Sequence, residues 1–411
     1  MVKLNPSRYE AVIIGGGVAG ASVAYALSKR KIKTLLLEKK QNLSEGASGN
    51  PSGLIYPFLT KHKTAESEFS LAAFRFLNKE WEKIETFAGA KKNNFYQNGI
   101  YFLTDSEADK DRYFNSLDSH QIEKEEACIK KDIPFLQGKE AIHFINGKTI
   151  SPPLYVSLLC GLSHPHLTIQ TYENFLEWEG KSNLQIKTDK TIYETDKLFL
   201  CLANEILEMP KTKWLPIKKV RGQIVLLPKS ESLSQITNSI LFGHYLTQDI
   251  GFGSVLGASF DEFQHEETTR IYETVELLQL AKKHLPVLKS YWTELEKSPE
   301  LLKTRVSFRS QTQDRRPMFG KLPDAEQFKS DNPYKKGESH VRNPPNLSYY
   351  QNVFLLAGLG SRGLNHSLLG AEIMVSESLG EELPVSKELF EDFKPERFLI
   401  RNWKRGIPIE D

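Results

Sequence analysis

The sequence predicts an α/β fold: a Rossmann-like nucleotide-binding domain of the glutathione-reductase type, with an inserted, mostly antiparallel β-sheet domain. Three observations predict it. Tyr9 to Ile14 is an apolar, β-branched run that stops at Gly15-Gly16-Gly17-Val18-Ala19-Gly20. Asn352 to Leu356 is a second buried-strand run, and it enters Gly358-Leu359-Gly360-Ser361-Arg362-Gly363-Leu364. Between them lie β-prone blocks that interrupt the alternation of strand and helix.

The first junction is a βαβ unit. Ala21 to Lys29 is helical in character, and a second strand, Lys33 to Leu37, ends in Glu38 and Lys39. Gly15 allows a tight turn, Gly17 lets a pyrophosphate approach the start of the helix, and Gly20 lets helix and strand pack closely. Val18 and Ala19 open the helix, where free N–H groups and the helix dipole favour an anion. Glu38 can accept hydrogen bonds from a ribose 2′-hydroxyl, and its charge repels a 2′-phosphate.

The following loop is rich in small residues. Ala47, Ser48, Gly49, Asn50, Gly53 and Leu54 lie where backbone can approach a flat or phosphorylated ligand. Pro57 keeps the next stretch extended. Helical spacing from Ala65 to Phe87 places Phe69, Ala72, Ala73, Phe76, Leu77 and Trp81 on one core face. Residues 93 to 150 are read as a strand at Ile100 to Leu103, a charged helix from Asp105 to Lys131, and a hairpin turning at Asn146-Gly147. Pro152 to Leu162 is a helix. Leu167 to Tyr172, Asn183 to Thr188 and Lys197 to Leu202 are strands, the last leading to the small pair Ala203 and Asn204. Ile217 to Leu227, Phe242 to Leu246, Gly251 to Ala258 and Arg305 to Arg309 are further strands, and Thr268 to Leu285 is a helix. The polar, proline-bearing stretch from Ala325 to Tyr349 is read as a surface loop. The expected nucleotide domain is 1–92, 146–215 and 305–411; the expected substrate domain is 93–145 and 216–304.

Composition is that of an ordinary globular protein, with 39% hydrophobic and 26% charged residues in 411. A net charge of +2 sets up no global field that demands nucleic acid. Cys128, Cys160 and Cys201 show no metal or pairing spacing, which suggests buried, reduced thiols in the cytoplasm. No metal site and no membrane span are expected.

Two strand–glycine–helix turns, one near each end, fit one large cofactor clasped by both. A nicotinamide cofactor does not need the second turn. FAD does, because the second helix can face the charge that develops on a reduced flavin. FAD, held without a covalent bond, is the expected cofactor.

The order of motifs resembles the FAD-dependent oxidoreductases of the D-amino-acid oxidase superfamily, and within it the oxidoreductase half of the bifunctional MnmC-type tRNA modification enzymes. The resembling stretches are Gly46 to Pro57, Val220-Arg221-Gly222-Gln223, Gly243 to Thr247 with Gly257 to Phe260, Arg305 to Arg309 with Asp314 to Gly320, Gly358 to Leu364, and the tail Pro395 to Arg401. The nucleotide fold starts at residue 9, so no methyltransferase domain is expected ahead of it. The second step, methylation, would then be done by a separate methyltransferase or not at all.

The resemblance implies a reaction. The carboxymethylaminomethyl group of a tRNA wobble uridine, in the anticodon region, would be oxidised, releasing glyoxylate and leaving aminomethyl uridine. Molecular oxygen would reoxidise the cofactor. Arg309 would bind the carboxylate, since it lies where glycine-type oxidases place a carboxylate-binding arginine and a guanidinium grips a carboxylate bidentately. Arg315 and Arg316 compete for that role. Tyr245 would hydrogen-bond the substrate, and Arg362 would approach the flavin. Basic runs at Lys211, Lys213, Lys218, Lys219 and Arg221, and at Lys394, Arg397, Arg401, Lys404 and Arg405, would meet phosphates. The alternatives are an oxidase of glycine, sarcosine or a D-amino acid, and a nucleotide-binding regulatory module without turnover.

Overall fold

Ala11, Val12, Ile13 and Ile14 are completely or almost completely buried and form the inner half of the strand Ser7–Ile14. Burial on both faces is what a continuous apolar run in a parallel sheet requires. The computed structural model describes residues 7–89, 96–104, 107–333 and 345–407. The chain divides into two units, one of Met1–Glu45, Val156–Lys218 and Arg309–Asp411, the other of Gly46–Tyr155 and Lys219–Phe308.

Among the described residues the first unit is built on an eight-stranded sheet. Its main path runs Met318–Pro323, Tyr349–Ala357, Ile192–Leu200, Ser7–Ile14, Thr34–Leu37, Leu167–Gln170. The pairs inside that path are parallel, and only Met318–Pro323 joins antiparallel. A hairpin of Phe175–Glu179 and Leu184–Thr188 extends from Ile192–Leu200. The strand Phe175–Glu179 was not anticipated, because its exposed glutamates mask the buried Trp178. The helices Val18–Ser28 and Gly363–Leu379 pack together through small residues, with Ser22 Oγ donating to Ser367 Oγ at 3.0 Å.

The second unit carries a mostly antiparallel sheet. Its order is Lys303–Thr312, Ile217–Leu227, Ser254–Gly257, Tyr245–Leu246, Ser239–Leu241, Tyr96–Leu103, Ala141–Ile150, Gly53–Ile55. The first two of these strands start or finish in the other unit. One pairing, Ser239–Leu241 with Tyr96–Leu103, is parallel. The helix Ile271–His284 buries Leu277, Leu278 and Ala281 in an apolar cluster with Val225, Leu256 and Trp292. Helix Ala65–Ala88 starts at a reciprocal cap between Thr64 and Ser67 and stops at Gly89, whose φ is +75°.

Three expectations are corrected. Asn146-Gly147 is not a hairpin turn, for Ala141–Ile150 is one strand. Asn98 pairs with Lys148 and Ile100 with Phe144, so the extra residues around Asn146-Gly147 form a bulge. The charged stretch is helical only over Glu107–Ser119; Ala127–Lys130 then adds a strand to Ala141–Ile150. Residues 105 and 106 lie outside the described ones. The stretch after Asp324 starts with a helix, Ala325–Asp331, because the Asp324 side chain accepts from Gln327 N at 3.1 Å and Phe328 is buried. Residues 334–344 of that expected loop lie outside the described ones. Among the described residues, no helix is long and apolar enough to cross a membrane. Cys160 and Cys201 are buried thiols, as expected, and burial pushes Cys160 up to about 12; Cys128 is only partly buried.

The bulge carries a titratable group. Lys148 is 4% exposed, and its Nζ donates to Asn98 Oδ1 at 3.1 Å and lies 4.9 Å from the Trp81 ring centre. Burial pushes this ammonium down to about 8, with the Glu85 charge opposing. An unfolded lysine keeps its proton to about pH 10.4, so the unfolded chain binds more protons between these values. Stability from this group therefore rises with pH across that window. Lys148→Met is expected to remove a rise on the order of 3 kcal/mol. Denaturant unfolding of both proteins at about pH 7 and about pH 10 checks this, and equal rises contradict it.

Candidate active site

Strand Ser7–Ile14 ends at Gly15, whose φ of +108° is closed to most L side chains. A Cβ there would lie 2.5 Å from the Cys201 carbonyl oxygen, and one at Gly20 would run into the Gly15 carbonyl. The turn is therefore as tight as its glycines allow. Gly17 is the helix N-cap and offers no side chain to the first-turn N–H groups of Val18, Ala19 and Gly20.

Glu38 sits against this turn. Its Oε2 accepts from Gly16 N at 2.7 Å and its Oε1 from Lys40 N at 2.8 Å. The carboxylate thus braces the glycine turn, a role the sequence reading did not assign. Each oxygen retains a second lone pair for a further donor. Lys39 pairs with Glu205 at 2.8 Å. Cys201 N donates to Ile14 O at 2.8 Å, which brings Ala203 and Asn204 beside the same turn. Ala203 has a positive φ of 51°.

The second turn meets the first. Tyr349–Ala357 leads into Gly358 and Gly360, with φ of +69° and +57°. A Cβ at Gly358 would collide with the Thr312 methyl group, and Gly360 N donates to Ser310 O at 2.7 Å. Thr312 and Ser310 shape this turn and were not anticipated. Arg362 is the N-cap of Gly363–Leu379 and makes no capping side-chain bond. A Cβ at Gly363 would lie 3.5 Å from Val18 Cγ1, so the two helices begin side by side, with Ser361 and Leu364 at the second start. Burial, aided by the Arg362 charge, pushes His366 down to about 3 and keeps its imidazole neutral.

The small-residue loop lies in the second unit. Ala47–Gly49 is a 3-10 turn, closed by Gly49 N donating to Gly46 O at 3.0 Å. Gly53 and Leu54 then pair with Ile150 and Thr149. Tyr245, half-buried in this unit, lies across Gly257, where a Cβ would be 2.6 Å from the phenol oxygen. Arg309 is half-buried on the strand Lys303–Thr312. Arg316 is paired with Asp314 at 3.2 Å and Asp392 at 3.1 Å, which weakens its claim to bind substrate.

The expected basic runs are largely consumed inside the fold. Arg221 is 0% exposed and donates to Glu273, Thr268 O and Glu266 O. Lys219 covers the Phe308 ring at 3.9 Å. Lys211 donates to Trp178 O at 2.7 Å and lies 4.3 Å from that ring's centre. In the tail, Arg397 grips Asp314 at 3.0 and 3.1 Å, while Lys394 pairs with Glu391 at 2.7 Å. Burial raises Asp314, but the Arg397 guanidinium outweighs it and holds the carboxyl below its ordinary range. Arg401 donates to Gln313 at 2.5 Å. Lys213, Lys218, Lys404 and Arg405 remain exposed. Among the described residues no cluster of metal-binding side chains occurs.

Known proteins share this arrangement. The chain is 32% identical over 415 residues to the tRNA 5-methylaminomethyl-2-thiouridine biosynthesis bifunctional protein MnmC of Leptospira borgpetersenii serovar Hardjo-bovis (strain JB197), covering 96% of this chain and 61% of that protein. It is 28% identical over 421 residues to the MnmC protein of Vibrio cholerae serotype O1 (strain M66-2), covering 97% and 59%. The chain thus spans about three fifths of the length of these relatives. Among solved structures, glycine oxidase from Geobacillus kaustophilus superposes with a TM-score of 0.71 at 16% identity, over 93% of this chain and 98% of the other. L-proline dehydrogenase from P. horikoshii gives 0.72 at 16%, over 96% and 99%. These structures establish the fold. The family model for FAD-dependent oxidoreductases matches residues 10–377, and the chain belongs to that family, DAO.

Proposed function

We propose that this FAD-dependent oxidoreductase oxidises the carboxymethylaminomethyl group of a tRNA wobble uridine, releasing glyoxylate and leaving aminomethyl uridine. The observation that carries the reading is the 32% identity to an MnmC protein along 96% of the chain. The two glycine turns of the first unit suit the cofactor: they are too tight for a Cβ at Gly15, Gly20 or Gly358, and each leads to a helix N-terminus.

In this reading Gly15, Gly17 and Gly20 admit the pyrophosphate to the N-terminus of Val18–Ser28, beside Val18 and Ala19. Glu38 takes the adenosine ribose with its remaining lone pairs, and Lys39 flanks it. Ala203 and Asn204 line the same end. Ala47, Ser48, Gly49, Asn50, Gly53 and Leu54 are further cofactor-binding residues in this reading. Gly358, Gly360, Ser361, Gly363 and Leu364 present the second helix start, and Arg362 adds positive charge there. Held by these residues, FAD would supply the acceptor for the hydride of the substrate methylene, with molecular oxygen as the proposed acceptor of its electrons.

Arg309 holds the substrate carboxylate and so orients the methylene. Tyr245 hydrogen-bonds the substrate. A desolvated site disfavours the ammonium form, leaving the amine lone pair to form the C=N bond as hydride departs. Water cleaves that imine to the aldehyde and the primary amine. Methylation of the aminomethyl product would be the next step. Lys213, Lys404 and Arg405 are the cations offered to RNA phosphates.

Nucleoside analysis tests the reaction. Incubation with tRNA bearing carboxymethylaminomethyl uridine is expected to give aminomethyl uridine and trapped glyoxylate in equal amounts. Glyoxylate formed from free glycine, with the tRNA nucleoside untouched, would establish the amino-acid oxidase alternative instead. Arg309→Ala is expected to cut kcat/KM for the tRNA by about 100- to 1,000-fold, as removal of a buried charge partner does. Its FAD content should stay unchanged; loss of FAD would make Arg309 a structural residue.

A further inference from the structure

The turn that begins the small-residue loop is held by a side chain from far along the sequence. Ala47–Gly49 is a single 3-10 turn without a side-chain cap. So short a helix of small residues has little stability of its own. Arg305 spans it. Nη1 donates to Asn50 Oδ1 and Nη2 to Gly46 O, both at 2.6 Å. One planar guanidinium therefore ties the residue before the turn to the residue after it. All these residues belong to the second unit. Burial pushes the Arg305 pKa down, with Tyr245 opposing, as befits a partly desolvated cation. The contact reaches across 255 residues of sequence, so local preference cannot replace it.

We propose that Arg305 is a positioning residue for FAD: its two donors hold the Gly46–Asn50 turn in the conformation that receives the cofactor. The inference rests on the assignment of this turn to FAD made above. Arg305 need not touch the cofactor. It orders the turn before binding, so that FAD binding does not have to supply that order. A lysine cannot replace it, because one ammonium lacks the fork that reaches both acceptors with fixed geometry.

The test uses apoprotein from Arg305→Lys, Arg305→Ala, Asn50→Ala and the double variant Arg305→Ala/Asn50→Ala. FAD affinity is read from flavin fluorescence during titration, and apoprotein stability from its melting midpoint. Arg305→Ala is expected to weaken FAD by about 10- to 100-fold, and Arg305→Lys by nearly as much. Both should leave the apoprotein midpoint close to that of the wild type. The double variant should be weaker than Arg305→Ala by less than the separate Asn50→Ala effect. Hydrogen exchange at 46–50 in the Arg305→Lys apoprotein should be faster than in the wild type. Wild-type FAD affinity in Arg305→Lys, with Asn50→Ala weakened, would overturn the role of Arg305 while keeping the turn as a cofactor element. Strictly additive effects would overturn it too. Unchanged affinity in every variant would instead remove the turn from the cofactor site, and the proposal with it.

Discussion

Gly20→Val is expected to purify without flavin colour. A Cβ at Gly20 runs into the Gly15 carbonyl oxygen and lies 3.3 Å from Ile13 Cγ2. Neither neighbour can yield easily. Ile13 is buried in the central strand, and Gly15 is pinned between Leu37 O, which its N–H reaches at 2.9 Å, and the Cys201 carbonyl. The turn must open, which would displace the N–H groups of Gly17, Val18 and Ala19 to which the proposal assigns the pyrophosphate. FAD affinity is expected to fall by at least about 100-fold, since several charge-assisted hydrogen bonds depend on those groups together. Apoprotein titrated with FAD provides the measurement. A yellow variant with unchanged affinity would contradict the assignment of the first glycine turn.

Arg221→Ala is expected to destabilise the second unit by about 3–5 kcal/mol, the cost of breaking a buried ion pair from one side. Arg221 is completely buried, and Glu273, 3% exposed, accepts from its Nη1 at 2.6 Å. Its other donors reach Glu266 O at 3.0 Å and Thr268 O at 2.6 Å. Beside it, Gln223 Nε2 donates to Arg270 O at 2.8 Å. Together these bonds fasten the segment before helix Ile271–His284 to the strand Ile217–Leu227. Removal of Arg221 leaves a buried carboxylate and orphaned carbonyls. The double replacement Arg221→Met/Glu273→Leu should recover much of the loss, because it leaves no uncompensated charge. Denaturant midpoints of the three proteins check this. A loss below about 1 kcal/mol in the single variant would show that Arg221 behaves as a surface residue.

The same residue shows where sequence reading succeeds and where it stops. Both glycine turns were legible because strand, turn and helix signals adjoin within a few residues. The strand Ser7–Ile14 announces itself by the apolar run Ala11 to Ile14, and Ile217–Leu227 by the run Ile224 to Leu227. Long-range pairing leaves no such local mark. Arg221 looks like part of a basic run until Glu273, 52 residues away, is placed beside it. Arg397 likewise looks like a phosphate ligand until Asp314, 83 residues away, occupies it. Asn146-Gly147 suits a tight turn and a bulge equally, and the pairing of its flanks, Lys148 with Asn98 and Phe144 with Ile100, decides between them. In the candidate site, the glycines were readable as tight strand-to-helix turns. Glu38 as a brace and Arg305 as a tie were not, because each depends on a backbone group brought near only by folding.

The central claim is that the oxidised group is carried on tRNA. Its most direct measurement is the visible absorbance of the FAD-loaded protein, without oxygen, after mixing with tRNA bearing carboxymethylaminomethyl uridine. Bleaching is expected with that tRNA, none with tRNA lacking the group, and none with free glycine or sarcosine. Bleaching by the free amino acids and not by the modified tRNA would contradict it.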